Sequence, residues 1–561
     1  MSSRTPLTAG SVLRRISREF AFDLVSPKWL GVFRIGFALV GLVFCWRLFG
    51  IRTFRFDGSW VDSPWLELFH VAWLVVLVML LLGIGGVLRD IAHFLLCLLL
   101  LDAKTIGASV QESLFLLLTF HLLFIRTDGG LNVRSLRAWI GARRADDTAR
   151  EQPVGSSGGA SSSQSNTWTG AAVWWFGVNF GFILVSAGLF KALCPLWQAG
   201  IGFRMTFGLP WIRAPFIPDF ATDSLLPVLL NHMSIALEVG FLFCFLIARL
   251  RLLSLFMLCM FFGGLILPMR LDMIGWIGLL YPLLLLSVTP LKPWRRLEQV
   301  KTSGRTLRVA LGAMLFSGMM CAMTAFKRWD FTENDYAKTS PVFVGTTADE
   351  DAYRDRAVYK LAVGVHRPLD WLFDVIGVRS LNKRTTRQKG WTLFTKRHTV
   401  GIYGYRVLVT LQDGTQTEPI RVFEEDLSAG PDSNGFLTVR NFQGGMYALS
   451  DLAHRSSFAS PEELAEASFL RRHERAFAPY LHYALRDTGE NAAKVEILVR
   501  PIGVDLTELG FGKTVDHGWQ PLVRYDVATD KTEILRVGAF NIQARVPYLE
   551  NYWVTQHPWT N

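Results

Sequence analysis

Long apolar runs separated by short polar connections dominate the chain up to Phe326. Runs long enough to cross a hydrocarbon layer occupy 29–50, 65–88, 91–108, 109–125, 171–192, 225–247, 252–270, 272–289 and 308–326. They predict about nine helical spans, each near the length that a bilayer of roughly 30 Å demands. The third and fourth runs are interrupted by Asp102 and Lys104. Beyond Phe326 the pattern changes and charged residues become frequent. Apolar and polar positions alternate from Tyr403 to Leu411, Asp413-Gly414 supplies a hairpin turn, and Glu418 to Phe423 returns. Ser460-Pro-Glu-Glu463 carries an N-cap, a first-turn proline and a capping-box partner, which predicts a helix start. Further strands are expected near 495–499, 521–527 and 532–537. The expected fold is a polytopic α-helical membrane protein of about nine spans with a C-terminal extracytoplasmic α+β or mainly β domain. That domain, 327–561, has about 230 residues and can bury its own core without disulfides.

Composition agrees with the pattern. Half of the residues are apolar and 13% are aromatic, which excludes a soluble globular chain. The first 28 residues carry Arg4, Arg14, Arg15, Arg18 and Lys28 and no short apolar core, so the first span is expected to serve as its own uncleaved anchor. All six cysteines lie in or beside apolar segments, with no disulfide framework and no Cys/His metal cluster. The net charge of +11 does not point to nucleic acid, because its location explains it. Arginine and lysine concentrate in alternate connections: the N-terminal tail, Arg89, the loop from Arg126 to Arg150, Arg249 with Arg251, and Lys292 to Arg308. The positive-inside rule then places the N-terminus in the cytoplasm, and an odd span count puts the C-terminal domain outside. The setting this implies is a bacterial cytoplasmic (inner) membrane. Gly, Ser, Gln and Pro crowd residues 146–167, a flexible cytoplasmic linker within the membrane domain 29–326.

Ionisable residues inside such spans are the candidates for chemistry, since a charge in hydrocarbon is costly. Lys191 follows the small residues Ser186, Ala187 and Gly188 at the outer end of the fifth run, just before Cys194-Pro195. Catalysis and snorkelling to the nearby interface compete as readings of it. Glu238, mid-way along the sixth run, is either a mechanistic carboxylate or a helix-to-helix hydrogen bond. Arg34 in the first run must find a partner, with a structural ion pair or snorkelling as the plainer roles. Gln111 and Glu112, with Asp102 and Lys104, make an unusually polar outer hairpin whose plainer reading is a solvated loop. His121 fits a satisfied packing residue, and Arg471, Arg472, His473 and Arg475 fit a solvated helix face.

The order of several motifs resembles the vitamin K-dependent γ-carboxylase-like family of membrane proteins, also called HTTM proteins. The resemblance rests on Ser26-Pro-Lys-Trp-Leu-Gly-Val-Phe-Arg34, on Ala187-Gly-Leu-Phe-Lys191 followed by Trp197 and Gly200, on Glu238, on Ile274-Gly275, and on Trp391-Thr-Leu-Phe394 followed by Tyr405 and Asp413-Gly414. It implies an enzyme whose buried lysine, at the position of Lys191, deprotonates a reduced quinone (vitamin K or menaquinol-like). Oxidation of that quinone then drives proton removal from a glutamate side chain and its carboxylation. Glu238 joins Lys191 as a catalytic candidate, with Gln111, Glu112 and Arg34 in support and no metal. The chain departs from the carboxylase at Gln111, where a histidine stands in the family's enzyme, and between Phe261 and Pro268, which offers no polar residue. The implied partners are membrane lipids, the lipid-soluble quinone and a protein substrate or partner on the extracytoplasmic side. The alternative is a non-catalytic membrane scaffold or partner-binding subunit.

Overall fold

The computed structural model of the chain describes residues 26–50, 63–103, 110–125, 163–193, 226–267, 272–289, 401–421, 459–505, 513–538, 541–543 and 553–555, with isolated positions between them. Its first part is helical. The helices are α1 (Pro27–Gly50), α2 (Pro64–Leu82), α3 (Gly86–Leu98), α4 (Val110–Leu122), α5 (Ser163–Leu193), α6 (Leu226–Leu246), α7 (Arg251–Ile266) and α8 (Asp272–Leu286). Among the described residues, three segments are long and apolar enough to cross a membrane: Lys28–Phe49 in α1, Pro64–Leu82, and Val228–Leu246 in α6. The apolar stretches of α5, α7 and α8 are shorter, at Ala172–Val185, Arg251–Ile266 and Met273–Leu286. The expected run at 308–326 lies outside the described residues.

Local chemistry explains several ends. Ser63 Oγ accepts from the Trp65 N–H at 3.4 Å and Pro64 opens α2, while Gly83 closes it in the left-handed region at φ 71°. At Gly83 a Cβ would also lie 2.6 Å from Arg34 Nη1, so both backbone and space require glycine there. The third apolar run loses its α-helical pitch earlier than expected, passing into a π turn at Leu99–Ala103. Helix α5 starts at Ser163, inside the segment expected to be a linker. Ser163 to Thr167 contains neither Gly nor Pro, so nothing there stops a helix already held by the apolar turns that follow.

Antiparallel helices α5 and α6 meet along a glycine seam. A Cβ on Gly177 would lie 2.5 Å from Phe245, one on Gly181 2.6 Å from Leu242, and one on Gly188 2.7 Å from Val239 and 3.0 Å from Glu238 Cβ. Without a hydrophobic force between helices in lipid, such close approach supplies the packing. Aromatic rings fill the centre: Tyr281 of α8 sits 3.9 Å from the Phe180 ring and 4.9 Å from that of Phe176, both on α5. Its hydroxyl donates to the Leu114 carbonyl of α4 at 3.2 Å. Phe37 of α1 stacks on Phe115 of α4 at 4.8 Å.

The C-terminal part is an antiparallel sheet with helices. Strands β1 (Gly401–Leu411), β2 (Gln416–Arg421), β3 (Ala492–Asp505), β4 (Lys513–Asp516), β5 (Gln520–Asp526) and β6 (Lys531–Ile534) run in the order β2-β1-β3-β5-β6, with β4 paired to β3. Two short strands, β7 (Asn541–Gln543) and β8 (Trp553–Thr555), pair separately. The expected hairpin turn is present, with Gly414 at φ 84°. The expected capping box is present too: Ser460 Oγ accepts from the Glu463 N–H at 3.2 Å, and the Ser460 N–H donates to Glu463 Oε2 at 2.9 Å. The helix it starts, α9 (Pro461–Ala465), breaks at Glu466, where the backbone turns extended and caps α10 (Ala467–Thr488). Tyr405, Val407 and Val409 of β1 and Val495, Ile497 and Val499 of β3 are buried at alternate positions, beneath Phe477, Tyr480 and Ala484 of α10. On α10, Arg471, Arg472 and Arg475 are exposed, whereas His473 is buried with its ring 4.7 Å from Phe469.

The opposite sheet face carries a charge ladder. Glu496 of β3 accepts from Lys494 Nζ at 2.8 Å and from Arg524 Nε at 3.1 Å. Partial burial pushes the Glu496 carboxyl up, but these two cations outweigh it and hold the group below the ordinary value of 4.5. A carboxylate depressed by folding contributes stability above its unfolded pKa and loses it as pH falls through the folded value. Glu496→Gln is therefore expected to lower the unfolding temperature at neutral pH, with the difference from the parent closing as pH drops below 4.5. Calorimetry between pH 3 and 7 checks this, and a gap that is constant over that range would exclude it.

Candidate functional site

The site is assembled where the last turn of α5 meets α6. Asn231, Ser234 and Glu238 are spaced three and four residues apart on α6, which stacks them on one helix face. All three are buried on that face. Lys191 reaches across from α5 and donates to Glu238 Oε1 at 2.6 Å and to Ser234 Oγ at 3.4 Å. Gly188, one turn earlier on α5, lets the two backbones approach: its Cβ would lie 3.2 Å from the Val239 nitrogen. Lys191 and Glu238 are only 2% and 1% exposed, so the lysine is turned into the protein and the snorkelling reading falls.

The surround is aromatic. The Trp197 ring lies 4.7 Å from Lys191 Nζ and the Phe261 ring 5.6 Å from it. Trp197 is itself 2% exposed. Its carbonyl accepts from Asn231 Nδ2, and Asn231 Oδ1 accepts from the Phe203 N–H at 3.3 Å. Glu238 Oε2, by contrast, is buried without a hydrogen-bond partner. A lone buried acceptor oxygen costs free energy, and it marks where a ligand hydroxyl or N–H would be welcome. The site thus combines a buried lysine–glutamate pair, one acceptor oxygen without a hydrogen-bond partner and two aromatic rings around the amine.

The other sequence candidates stand elsewhere. Arg34 donates through Nη1 to the Thr127 carbonyl at 3.0 Å and through Nη2 to the Leu131 carbonyl at 2.7 Å, beside Gly83. It is a clamp on the chain that follows α4, satisfying carbonyls by charge-assisted bonds. Glu112 is buried in α4, and the hydrogen bonds of Lys191 and Glu238 do not include it. The side chains of Gln111 and Asp102, and Lys104 entirely, lie outside the described residues, as does Trp391-Thr-Leu-Phe394. His121 is a packing residue: Nδ1 bonds the Leu117 carbonyl at 2.8 Å, Nε2 faces Asn179 Nδ2 at 3.2 Å, and the ring stands edge-on to Phe176. No group of three or more His, Cys, Asp or Glu side chains able to hold a metal occurs among the described residues. Sequence reasoning missed Ser234 and Asn231. The helical spacing of Asn231, Ser234 and Glu238 in an otherwise apolar run was the signal that could have found them.

Comparison with protein-family models, with curated proteins and with solved structures gives no match to the chain. The class that fold and site define is a helical, membrane-type chain with a buried lysine–glutamate pair and a C-terminal antiparallel sheet.

Proposed function

We propose that the chain is a γ-carboxylase-like (HTTM) membrane enzyme of about nine spans, in which the Lys191–Glu238 pair takes a proton from the hydroxyl of a reduced quinone. The observation that carries this reading is the fully buried pair with Glu238 Oε2 left open beside it. When bound, a reduced quinone supplies an acidic hydroxyl and the electron pair that reduces dioxygen. Glu238 Oε2, which lacks a hydrogen-bond partner, would accept from that hydroxyl, and the Trp197 and Phe261 rings around Lys191 Nζ would give the quinone ring apolar neighbours and help to exclude water. Lys191 would receive the hydroxyl proton as the general base that the family resemblance implies, its own proton passing to Glu238 across their contact. The charge regained by Lys191 would favour a deprotonated oxygen beside it, an attraction that gains strength in an apolar surround. Ser234 holds Nζ in register with Glu238. Carboxylation of a glutamate side chain on a protein substrate, presented outside by residues 327–561, is the reaction this proton removal serves.

The test is direct. Purified protein in lipid vesicles is expected to consume reduced menaquinone with dioxygen, and Lys191→Ala to abolish that consumption in a folded chain. The scaffold reading draws on the same pair as an adhesive between α5 and α6, and a folded parent protein that leaves the quinol untouched would favour it. The arrangement in a bacterial inner membrane is tested separately. A reporter fused after Asn561 is expected to read as extracytoplasmic and one inserted at Ser161 as cytoplasmic, and both on one side would exclude the odd span count.

A further inference from the structure

We infer that Asn231 is a positioning residue that latches Trp197 as a roof over the Lys191–Glu238 pair and so sets how readily a small apolar molecule reaches the Lys191 amine. The inference concerns access and not turnover, so it stands or falls apart from the quinone reading.

Three observations converge on it. Asn231 uses both ends of its amide on the chain beyond α5: Nδ2 donates to the Trp197 carbonyl, and Oδ1 accepts from the Phe203 N–H at 3.3 Å. The amide therefore fixes two backbone points on either side of Gly202. Gly202 fits beneath the indole because it has no side chain, since a Cβ there would lie 2.5 Å from the Trp197 ring and 3.0 Å from Asn231 Oδ1. The indole held in this way is buried, stands edge-on to Phe203 at 6.1 Å, and covers Lys191 Nζ at 4.7 Å. Asn231 itself is fully buried and touches neither Lys191 nor Glu238 through a hydrogen bond. Its amide is thus spent on the roof, while Ser234 and Glu238, one and two turns further along α6, are spent on the amine.

An apolar residue of the same size in place of Asn231 would give up both of its bonds to the backbone, at Trp197 and at Phe203. Removing the amide shifts the roof toward open forms by the worth of two hydrogen bonds, roughly a tenfold change in population or more.

The experiment measures the rate at which 1-fluoro-2,4-dinitrobenzene, a small flat neutral reagent, modifies Lys191 in the full-length protein in detergent at fixed pH. Peptide mass spectrometry reads the modified fraction. N-Ethylmaleimide labelling of Cys97, fully buried on α3, reports in parallel on whether the bundle stays closed. Asn231→Ala is expected to speed Lys191 modification by about tenfold or more while Cys97 stays protected. Gly202→Ala, which keeps the amide and displaces the indole by crowding, is expected to act in the same direction. Unchanged Lys191 modification in either variant with Cys97 still protected would overturn the assignment. Exposure of Cys97 together with Lys191 in both variants would overturn it as well, because the contacts would then hold the bundle together and not the roof.

Discussion

Replacing Glu238 with leucine is expected to cost about 3–5 kcal/mol of stability, the usual result of removing one partner from a buried ion pair. Lys191 would be left with the Ser234 hydroxyl at 3.4 Å and the Trp197 face at 4.7 Å, neither of which carries a compensating charge. A desolvated cation over an aromatic face is worth about 2 kcal/mol, less than the burial of the unpaired cation costs. Adding Lys191→Met to the same chain is expected to recover most of the loss, because apolar residues of similar volume replace a buried pair at little cost or with a gain. Thermal unfolding of the parent, single-substituted and doubly substituted chains in one detergent checks this. Additive losses would mean that the two residues do not depend on each other, contrary to their 2.6 Å contact.

Lys191→Arg is expected to keep the fold and to lose quinol oxidation by about 10²–10⁴-fold, the typical share of a general base. The guanidinium is longer but keeps a positive charge within reach of Glu238, so the pairing that holds α5 to α6 survives. It cannot give up its proton at working pH and so offers no lone pair to a hydroxyl. Steady-state oxidation of reduced menaquinone by the folded variant, set against Lys191→Ala, separates the charge of Lys191 from its basicity. Turnover retained in Lys191→Arg would move the base role to Glu238, whose Oε2 is the open acceptor of the site. Turnover lost in both variants keeps it on the amine.

Features that depend on neighbouring residues were legible in the chain. The Ser460 and Glu463 box, the Asp413-Gly414 turn and the strands on either side of it follow from side chains a few positions apart, and the structure contains each of them. Among the described residues, eight helices stand at the apolar runs before residue 290, because a backbone surrounded by apolar side chains must satisfy its own polar groups. The ends of those helices were less legible. Helix α5 extends back to Ser163 because polar composition lowers helix stability without ending a helix, and the break at Glu466 divides a segment whose start was plainly marked.

The cost of an ionisable group in an apolar run was enough to single out Lys191, Glu238 and Arg34 from the sequence alone. Where each would spend its charge was not. Lys191 and Glu238 are 47 positions apart, and the carbonyls bound by Arg34 are 93 and 97 positions from it. An amine on a long flexible stem can turn outward to an interface or inward to a carboxylate with the same local sequence. The glycine seam of α5 brings α6 close enough for the inward turn, and the stripe of Asn231, Ser234 and Glu238 then meets it. Composition and periodicity thus determined which residues needed partners, since desolvation acts on each residue by itself. Which partners they found was decided by the close approach of two helices, because a hydrogen bond depends on positions that only tertiary packing sets.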